Sequence, residues 1–544
     1  MTRAWLDPTA RLVSFARLLR ERTRALEPSG RRWVFVPYDQ LSDRIGPLSQ
    51  SPARELGVVL VESPAKAARR PYHKQKLALV LANLRHFALE QASRGVYVRH
   101  LVSPAGYAEA LGPLAAELGG LRCMRPAERE LRAELAELVR GGSLEILPHE
   151  GWLTSRDQFQ RACRAPPYRM DAFYRLVRRE SGVLMERGKP VGGKWSFDSE
   201  NREPYRGTPE APSPPRFEAD AITLEVRDLV EAHYAKHPGT LDLSALPATL
   251  DDARRMRDFA KTRCLPHFGP FEDAMSTRST GLFHTRLSAL INLHRVLPRE
   301  AIDDALGAEL PLASKEGFLR QVLGWREFVR HVHEASDGLR AIPGAPRVAR
   351  GREAAPNALD ASEPLPPAYW GGAPSGLHCL DTVVSDVWRE GYGHHITRLM
   401  ILSNLATLLG VSPRELTDWF WAAYTDAYDW VVEPNVLGMG TYAAGPLMTT
   451  KPYVSGAAYI AKMSDYCKGC RFDPKKNCPV TPMYWAFLER NEPRLRDNAR
   501  LMVPLAAMRK RSAEAKARDR ESLVTSRARL AAGLASTPAD FERA

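Results

Sequence analysis

Apolar residues change their period near residue 246, and that change limits what the chain can fold into. Before it, residues 33–37, 57–62, 96–102 and 144–149 are short apolar runs that read as strands. KLALVLANLRHFALEQASRG, between the second and third, reads as an amphipathic helix ending at Gly95, and PLAAELGGL and LRAELAELVRGG also read as helices. Strands alternating with helices predict a parallel α/β sheet with ligands at the carboxyl ends of its strands, where Asp39 and Glu62 fall. Beyond 246 almost no alternation of period 2 is left. LDDARRMRDFAKTRC, HTRLSALINLHRV, PREAIDDALGAEL, KEGFLRQVLGWREFVRHVHEA and SPRELTDWFWAAYTDAYDW carry helical spacing, so the second half is expected to be an all-α domain.

The remaining stretches divide the chain. Residues 1–30 read as a basic N-terminal extension or helix, 31–150 as the α/β domain, 151–245 as a connector, 246–508 as the helical domain and 509–544 as a charged tail, a solvated helix or frayed end. The connector holds a long Gly-, Pro- and Ser-rich segment with Trp195, Phe197 and Tyr205 among Lys194, Arg202 and Arg206. Aromatic and basic residues mixed in this way suit a clamp on another domain or on a nucleic-acid strand, and equally plain interdomain packing. A second loop rich in Pro, Ala and Gly runs from 342 to 370.

A net charge of +13 is compatible with a polyanionic partner, although a charged surface also serves solubility. No run of about 18 apolar residues is present, so no membrane span is expected. The first residues lack the apolar core of a secretory signal, and a cytoplasmic monomer is expected. In a reducing compartment clustered cysteines are more readily ligands than disulfides.

Cys467, Cys470 and Cys478 form C-x2-C-x7-C-P, a spacing that lets thiolates grip one metal centre. A fourth ligand is needed. Cys379 is the first candidate, ahead of Cys264 and His378. Zinc and a [4Fe–4S] cluster both fit four thiolates, and spacing alone puts zinc slightly ahead. Cys123 and Cys163 read as structural thiols.

His394 and His395 follow Gly391 and Gly393, at the start of a helix apolar over most of its circumference. Two histidines and Arg398 in such a place are costly unless paired or functional, and histidine can supply a proton near neutral pH. Asp426 and Asp429 also need partners, and Arg398 is one candidate. Trp388, Trp419, Phe420, Trp421, Tyr424, Tyr428, Trp430, Tyr442 and Tyr453 crowd the same half. They read as core, and also as an electron-hopping chain to a redox cofactor.

With these residues in view, the chain resembles the photolyase/cryptochrome family, and within it the bacterial iron–sulfur branch of (6-4) photolyases and cryptochrome-like relatives. The matching motifs are DQL at Asp39–Leu41, HKQKLALVLANLRHF, GGKWSFDSENR, HTRLSALIN, EGFLRQVLGWREFVR, CLDTVVSDVWREGYGHHITRLM, YTDAYDWVVEPNVLGM, KPYVSGAAYI and YCKGCRFDPKK. The resemblance implies an α/β antenna domain, a long connector and a helical domain holding a U-shaped FAD. It implies a [4Fe–4S] cluster on Cys379, Cys467, Cys470 and Cys478. Flavin contacts would fall on His284, Arg286, Ser288, Gln321, Arg326, His394, Arg398, Asp426, Asp429 and Asn435. His395 would be the proton donor to the lesion, Tyr453 and Met439 would line the lesion pocket, and Asp198 and Arg202 would reach over UV-damaged DNA. Trp419 would be the electron donor next to the flavin, with Trp370 an outer member. Asp39 and Glu62 would border an antenna site, of lumazine type (6,7-dimethyl-8-ribityllumazine) in this branch.

The activity implied is light-driven repair. Excited reduced FAD passes an electron to a flipped-out dipyrimidine, His395 protonates it, the bond pattern reverses and the electron returns. Extrusion exposes the damaged bond and costs less for a damaged base. The chain departs from the family at four places. Val432 stands where an acidic residue beside the flavin is usual, with Glu433 next to it; Phe420 replaces a common tyrosine; Tyr38 replaces a glycine before Asp39; and the loop from Cys470 to Cys478 is short. Three readings follow: a (6-4) photolyase, a cryptochrome-like photoreceptor with the same cofactors, and a DNA-binding protein with a structural cluster.

Overall fold

The computed structural model describes residues 13–343, 347–348 and 355–541. Its first layer is a five-stranded parallel sheet. β1 (Arg32–Phe35), β2 (Leu56–Glu62), β3 (Tyr97–Val102), β4 (Leu121–Met124) and β5 (Leu144–Leu147) lie in the order β3-β2-β1-β4-β5. β2 reads LGVVLVE and every residue of it is buried, as expected of a central parallel strand covered on both faces. β4 follows the stretch PLAAELGGL, read from sequence as helical, and shares only Leu121 with it; no strand was read there. The helix Tyr107–Leu118 ends at Gly119, whose φ of +75° is the left-handed cap that glycine takes without strain, and the next residues pair Leu121 with Leu144 and Cys123 with Ile146.

Helix α1 (Val13–Thr23) buries Phe15 and Leu19, so this part of the N-terminal stretch packs into the core. It lies beside α2 (Lys74–Ser93), the crossover between β2 and β3. The connector begins with the helices Arg156–Ala162 and Met170–Ser181 and ends with α3 (Ala221–His233), which packs back on α2. Glu225 of α3 accepts the Phe15 backbone N–H at 3.0 Å and the Arg85 guanidinium at 2.9 Å. Between these helices the connector runs along the helical domain. The Phe197 N–H donates to Glu316 at 2.9 Å, Asn201 donates to Glu272 at 2.8 Å, and Phe197 and Tyr205 are buried. Its aromatic rings therefore pack inward, while Arg202 and Arg206 stay exposed.

The second half is helical, as its period predicts. Among the described residues four of its helical stretches contain a wide π turn: Ala260–Cys264, Arg320–Arg326, Thr397–Ser403 and Glu433–Gly440. Such turns recur at functional positions, and here they carry Gln321, Arg326, Arg398, Asn435 and Met439. HTRLSALINLHRV forms only the short helix Ser288–Asn292, because Arg286 and His294 both adopt left-handed backbone. Residues 513–531, read from their charge as solvated or frayed, form a helix packed on Val480–Leu495. Leu523 and Leu530 are buried, and Arg520 reaches Glu489 at 2.8 Å. No helix is long and apolar enough to cross a membrane among the described residues.

Candidate functional site

The helix α4 (His378–Glu390) stops at Gly391, whose φ is +62°, and the chain turns so that His394 and His395 open the next helix. His394 is buried with its ring stacked on that of His284, centroids 4.4 Å apart at 6°. His395 meets the same His284 ring edge-on at 5.3 Å. A ligand nitrogen from each of the three lies within 4.8 Å of the others. Burial, reinforced by the neighbouring imidazoles and by Arg398 and Arg286, holds the pKa of His394 far below the ordinary value, and His284 behaves likewise. Both are neutral near pH 7. Nδ1 of His394 and Nε2 of His284 have no hydrogen-bond partner.

Beside them Arg398 forks onto Asp426, with Nη1–Oδ1 at 3.0 Å and Nη2–Oδ2 at 2.9 Å. Ser288 adds a hydroxyl donor to Asp426 at 2.7 Å, and Arg398 Nε donates to the Gly393 carbonyl at 2.7 Å. Burial alone would raise the Asp426 pKa, but the guanidinium and the two side-chain hydrogen bonds outweigh it and hold the carboxylate below its usual range. Arg398 also lies 4.0 Å over the Tyr424 ring. Arg286 is nearby, paired with Glu390 at 2.8 Å and placed over Tyr392 at 4.2 Å.

The other expected flavin contacts have partners of their own. Gln321 donates to Glu272 at 2.5 Å, and Asn435 donates to the Val431 carbonyl at 2.8 Å. Asp429 accepts the Glu130 N–H at 3.0 Å from the α/β domain, and burial pushes its pKa up. Arg326 lies over Trp152 at 4.2 Å, with one bond to Glu327. Glu433 does not stand in for the absent carboxylate at Val432. It is buried, accepting from Arg340 and Arg414 at 2.8 and 2.9 Å and paired with His333 Nε2 at 2.9 Å.

His395 is the open member of the histidine group, its side chain 40% exposed. Its Nε2 stands 3.7 Å from Asp273, which faces Arg202 at 3.6 Å. Arg202 pairs with Asp198, and Asp198 meets Arg320 at 3.3 Å. Asp198, Arg202 and Asp273 also act on the Tyr453 hydroxyl, whose pKa burial raises. The expected proton donor, connector residues and lesion-pocket tyrosine are thus brought together, with Asp273 linking them. Met439 packs against the core. No local pattern marks Asp273 in the sequence.

Trp419 and Trp370 are joined through Trp388. Ring centroids are 5.9 Å apart for Trp419 and Trp388 and 5.7 Å for Trp388 and Trp370. Trp419 is fully buried and Trp370 is 40% exposed, so the series runs from core to solvent. Phe420 stacks on Tyr424 at 5.4 Å instead.

The four cysteines converge at one end of α4. The charges of Cys467, Cys470 and Cys478 all add to the effect of burial in raising the pKa of Cys379. The Phe472 N–H points at the Cys470 sulfur at 3.5 Å, and the Val480 N–H bonds Cys478. Asp473 and Asn477 fold the loop between them, with Asp473 accepting from the Lys475 N–H at 2.8 Å. A single zinc with bonds of about 2.3 Å would draw four sulfurs to about 3.8 Å of one another. Four thiols so gathered suit either a zinc ion or an iron–sulfur cluster.

The expected antenna site does not fit a bicyclic chromophore. Tyr38 stacks on Tyr428 at 6.2 Å, its hydroxyl bonds Glu128, and Lys66 lies 5.8 Å over its ring. The cavity left beside it is about 80 Å³, well under the range of roughly 300 Å³ and more usual for such ligands. Glu62 is committed to Arg85 at 2.7 Å and His100 at 3.1 Å. Burial pushes the Asp39 pKa up to about 7.

Comparison with known proteins agrees with this architecture. Residues 34–245 match the family described as deoxyribodipyrimidine photo-lyase-related protein. A (6-4) photolyase of Agrobacterium fabrum is 35% identical over 495 residues, covering 87% of this chain and 94% of that one. An uncharacterized protein of Acanthamoeba polyphaga mimivirus, R855, is 32% identical over 104 residues, 19% of this chain and 81% of its own. The crystal structure of a bacterial class III photolyase from Agrobacterium tumefaciens superposes with a TM-score of 0.54 at 14% identity, covering 93% of this chain and 99% of that one, and shares the fold. The chain belongs to the bacterial photolyase/cryptochrome family, a family of flavin-binding proteins.

Proposed function

We propose that this chain is a light-dependent (6-4) photolyase that uses FAD and carries a [4Fe–4S] cluster on Cys379, Cys467, Cys470 and Cys478. The observation that carries the reading is His395, an open imidazole at the junction of the neutral His284–His394 stack and the connector carboxylates. FAD bound at the Arg398–Asp426 pair would supply one-electron chemistry under blue light. The unpartnered nitrogens of His284 and His394, together with the Arg398 fork, suit the polar edge of such a cofactor. His284 and His394 stay neutral, so the transferable proton is assigned to His395, whose Nε2 faces Asp273. Arg202 and the other exposed cations hold phosphates without reading sequence, and the extruded lesion lies against Tyr453. Trp370, Trp388 and Trp419 deliver electrons inward from solvent.

A cryptochrome-like photoreceptor is the second reading. It is favoured by Val432, buried where a carboxylate is usual, with Glu433 held by Arg340, Arg414 and His333. One assay separates the two. Photoreduced protein is given an oligonucleotide with a single (6-4) lesion, in blue light and in the dark, and the bases are followed by chromatography. Light-dependent restoration is expected. Bound, photoreducible flavin without restoration makes the photoreceptor the better reading.

A further inference from the structure

In parallel α/β sheets ligands sit outside the carboxyl ends of the strands. The segments leaving β4 and β5 open a cleft at that end of the sheet, against the helix Glu327–Ala335. Its volume is about 610 Å³, within the range of small-molecule sites. It is not part of the histidine group or of the thiol centre.

Its charge is one-sided. Arg125, Arg156, Arg161 and Arg330 line it against the one carboxylate of Glu334. Glu334 is divided between Arg330 at 3.5 Å and Arg125 at 3.7 Å. Arg330 is 8% exposed; one of its nitrogens donates to the Thr154 carbonyl at 2.9 Å and its Nε has no partner. His149, also on the cleft, leaves Nε2 unpartnered. Behind them Arg326 shares the Trp152 ring with Arg330 and has two nitrogens without a partner. Burial, and the charge of Arg330 beside it, lower the Arg326 pKa to about 10. A buried guanidinium lacking acceptors is costly, and an oxyanion that takes the fork of two N–H groups relieves it.

We propose that this cleft binds a small phosphate monoester of sugar-phosphate size, gripped by Arg330 and closed over by Arg125 and Arg156. Guanidinium forks match phosphate oxygens, and the mostly polar lining suits a hydroxylated body. The site stands independently of the light-driven reading.

The probe is ribose 5-phosphate, titrated into the full chain by calorimetry and followed by thermal unfolding, with ribose as control. Saturable binding with a raised Tm is expected, ribose being silent. Affinity should fall about tenfold or more in Arg330→Gln and in Arg156→Gln, with the flavin absorbance unchanged. Arg330 is buried and its variant can lose folded protein; Arg156 is exposed, so its variant reads affinity alone. No saturable binding at millimolar ester, full affinity in Arg156→Gln, or release of flavin by the ester would each overturn the site. Competition by an undamaged oligonucleotide would assign the phosphate to a nucleic-acid backbone and overturn the small-ester reading as well.

Discussion

Trp388 and Trp419 donate their indole N–H groups to the same acceptor, the backbone carbonyl of Tyr369, each at 2.9 Å. A carbonyl accepts a hydrogen bond but does not take the proton. An indole that loses an electron here keeps its N–H, and the positive charge remains free to pass to the next ring. The two rings are tied to one backbone atom, which fixes their separation.

Trp388→Phe is therefore expected to slow light-driven flavin reduction about tenfold, equivalent to about 1.4 kcal/mol of barrier, while flavin stays bound. Transient absorption in the parent and the variant measures it. Unchanged kinetics would remove Trp388 from the path.

Removing one half of the Arg398–Asp426 pair strands a buried charge. Arg398→Met should destabilise the fold by about 3–5 kcal/mol, and Arg398→Met with Asp426→Leu should recover much of that loss. Urea unfolding of the single and double variants reads both. If the double variant is as unstable as the single one, the cost does not come from the unpaired carboxylate.

Metal analysis tests the thiol centre. About four irons per chain are expected, and Cys470→Ala should lose both iron and folded yield, since binding free energy at such a site is folding free energy. One zinc per chain and no iron would overturn the cluster assignment.

Asp39 gives a pH signature. Its pKa is about 7 folded against 3.8 for the free group, so the folded state holds the proton more tightly between these values. Stability falls as pH rises through that window, because the unfolded chain ionises first. Asp39→Asn removes this penalty. The variant should gain about 2 kcal/mol more over the parent at pH 8 than at pH 5.5, measured by urea unfolding at both. An equal gain at both pH values would mean that Asp39 is ionised throughout.

The helix Ala513–Ala531 is expected to be structural. Leu530→Ala should cost about 2–4 kcal/mol, as for a buried leucine elsewhere in a core. A change within about 0.5 kcal/mol would return this segment to a solvated surface role.

Strands and helices with long, regular patterns were legible in the sequence. β2 announces itself by its unbroken apolar run, and the helical half by the loss of alternation. β4 was not legible, because four residues between Gly120 and Arg125 carry too little period to tell strand from helix end. His394, His395, Arg398 and Asp426 stood out as polar groups in apolar surroundings, and the cysteine spacing was plain. Asp273 and the Tyr369 carbonyl were not legible as parts of a site. Each acts through a contact that crosses tens to hundreds of residues, and a backbone acceptor leaves no mark on composition. Tyr38 in place of a glycine beside the antenna site was legible, but its stacking on Tyr428 was not, because that depends on how two domains meet.

The wide turn Arg320–Arg326 lets one helix serve two neighbours. Ahead of its far end Arg320 reaches Glu272 at 3.1 Å and Asp198 on the connector; past it Glu327 accepts the Leu153 and Thr154 N–H groups, each at 3.0 Å. One surplus residue in a helix rotates everything beyond it by about 100°. Deleting a single residue there would restore a regular helix and yet turn one of these two side chains away from its partner. That helix therefore works as a fixed gauge between two separate stretches of the connector, and its length is constrained to the residue.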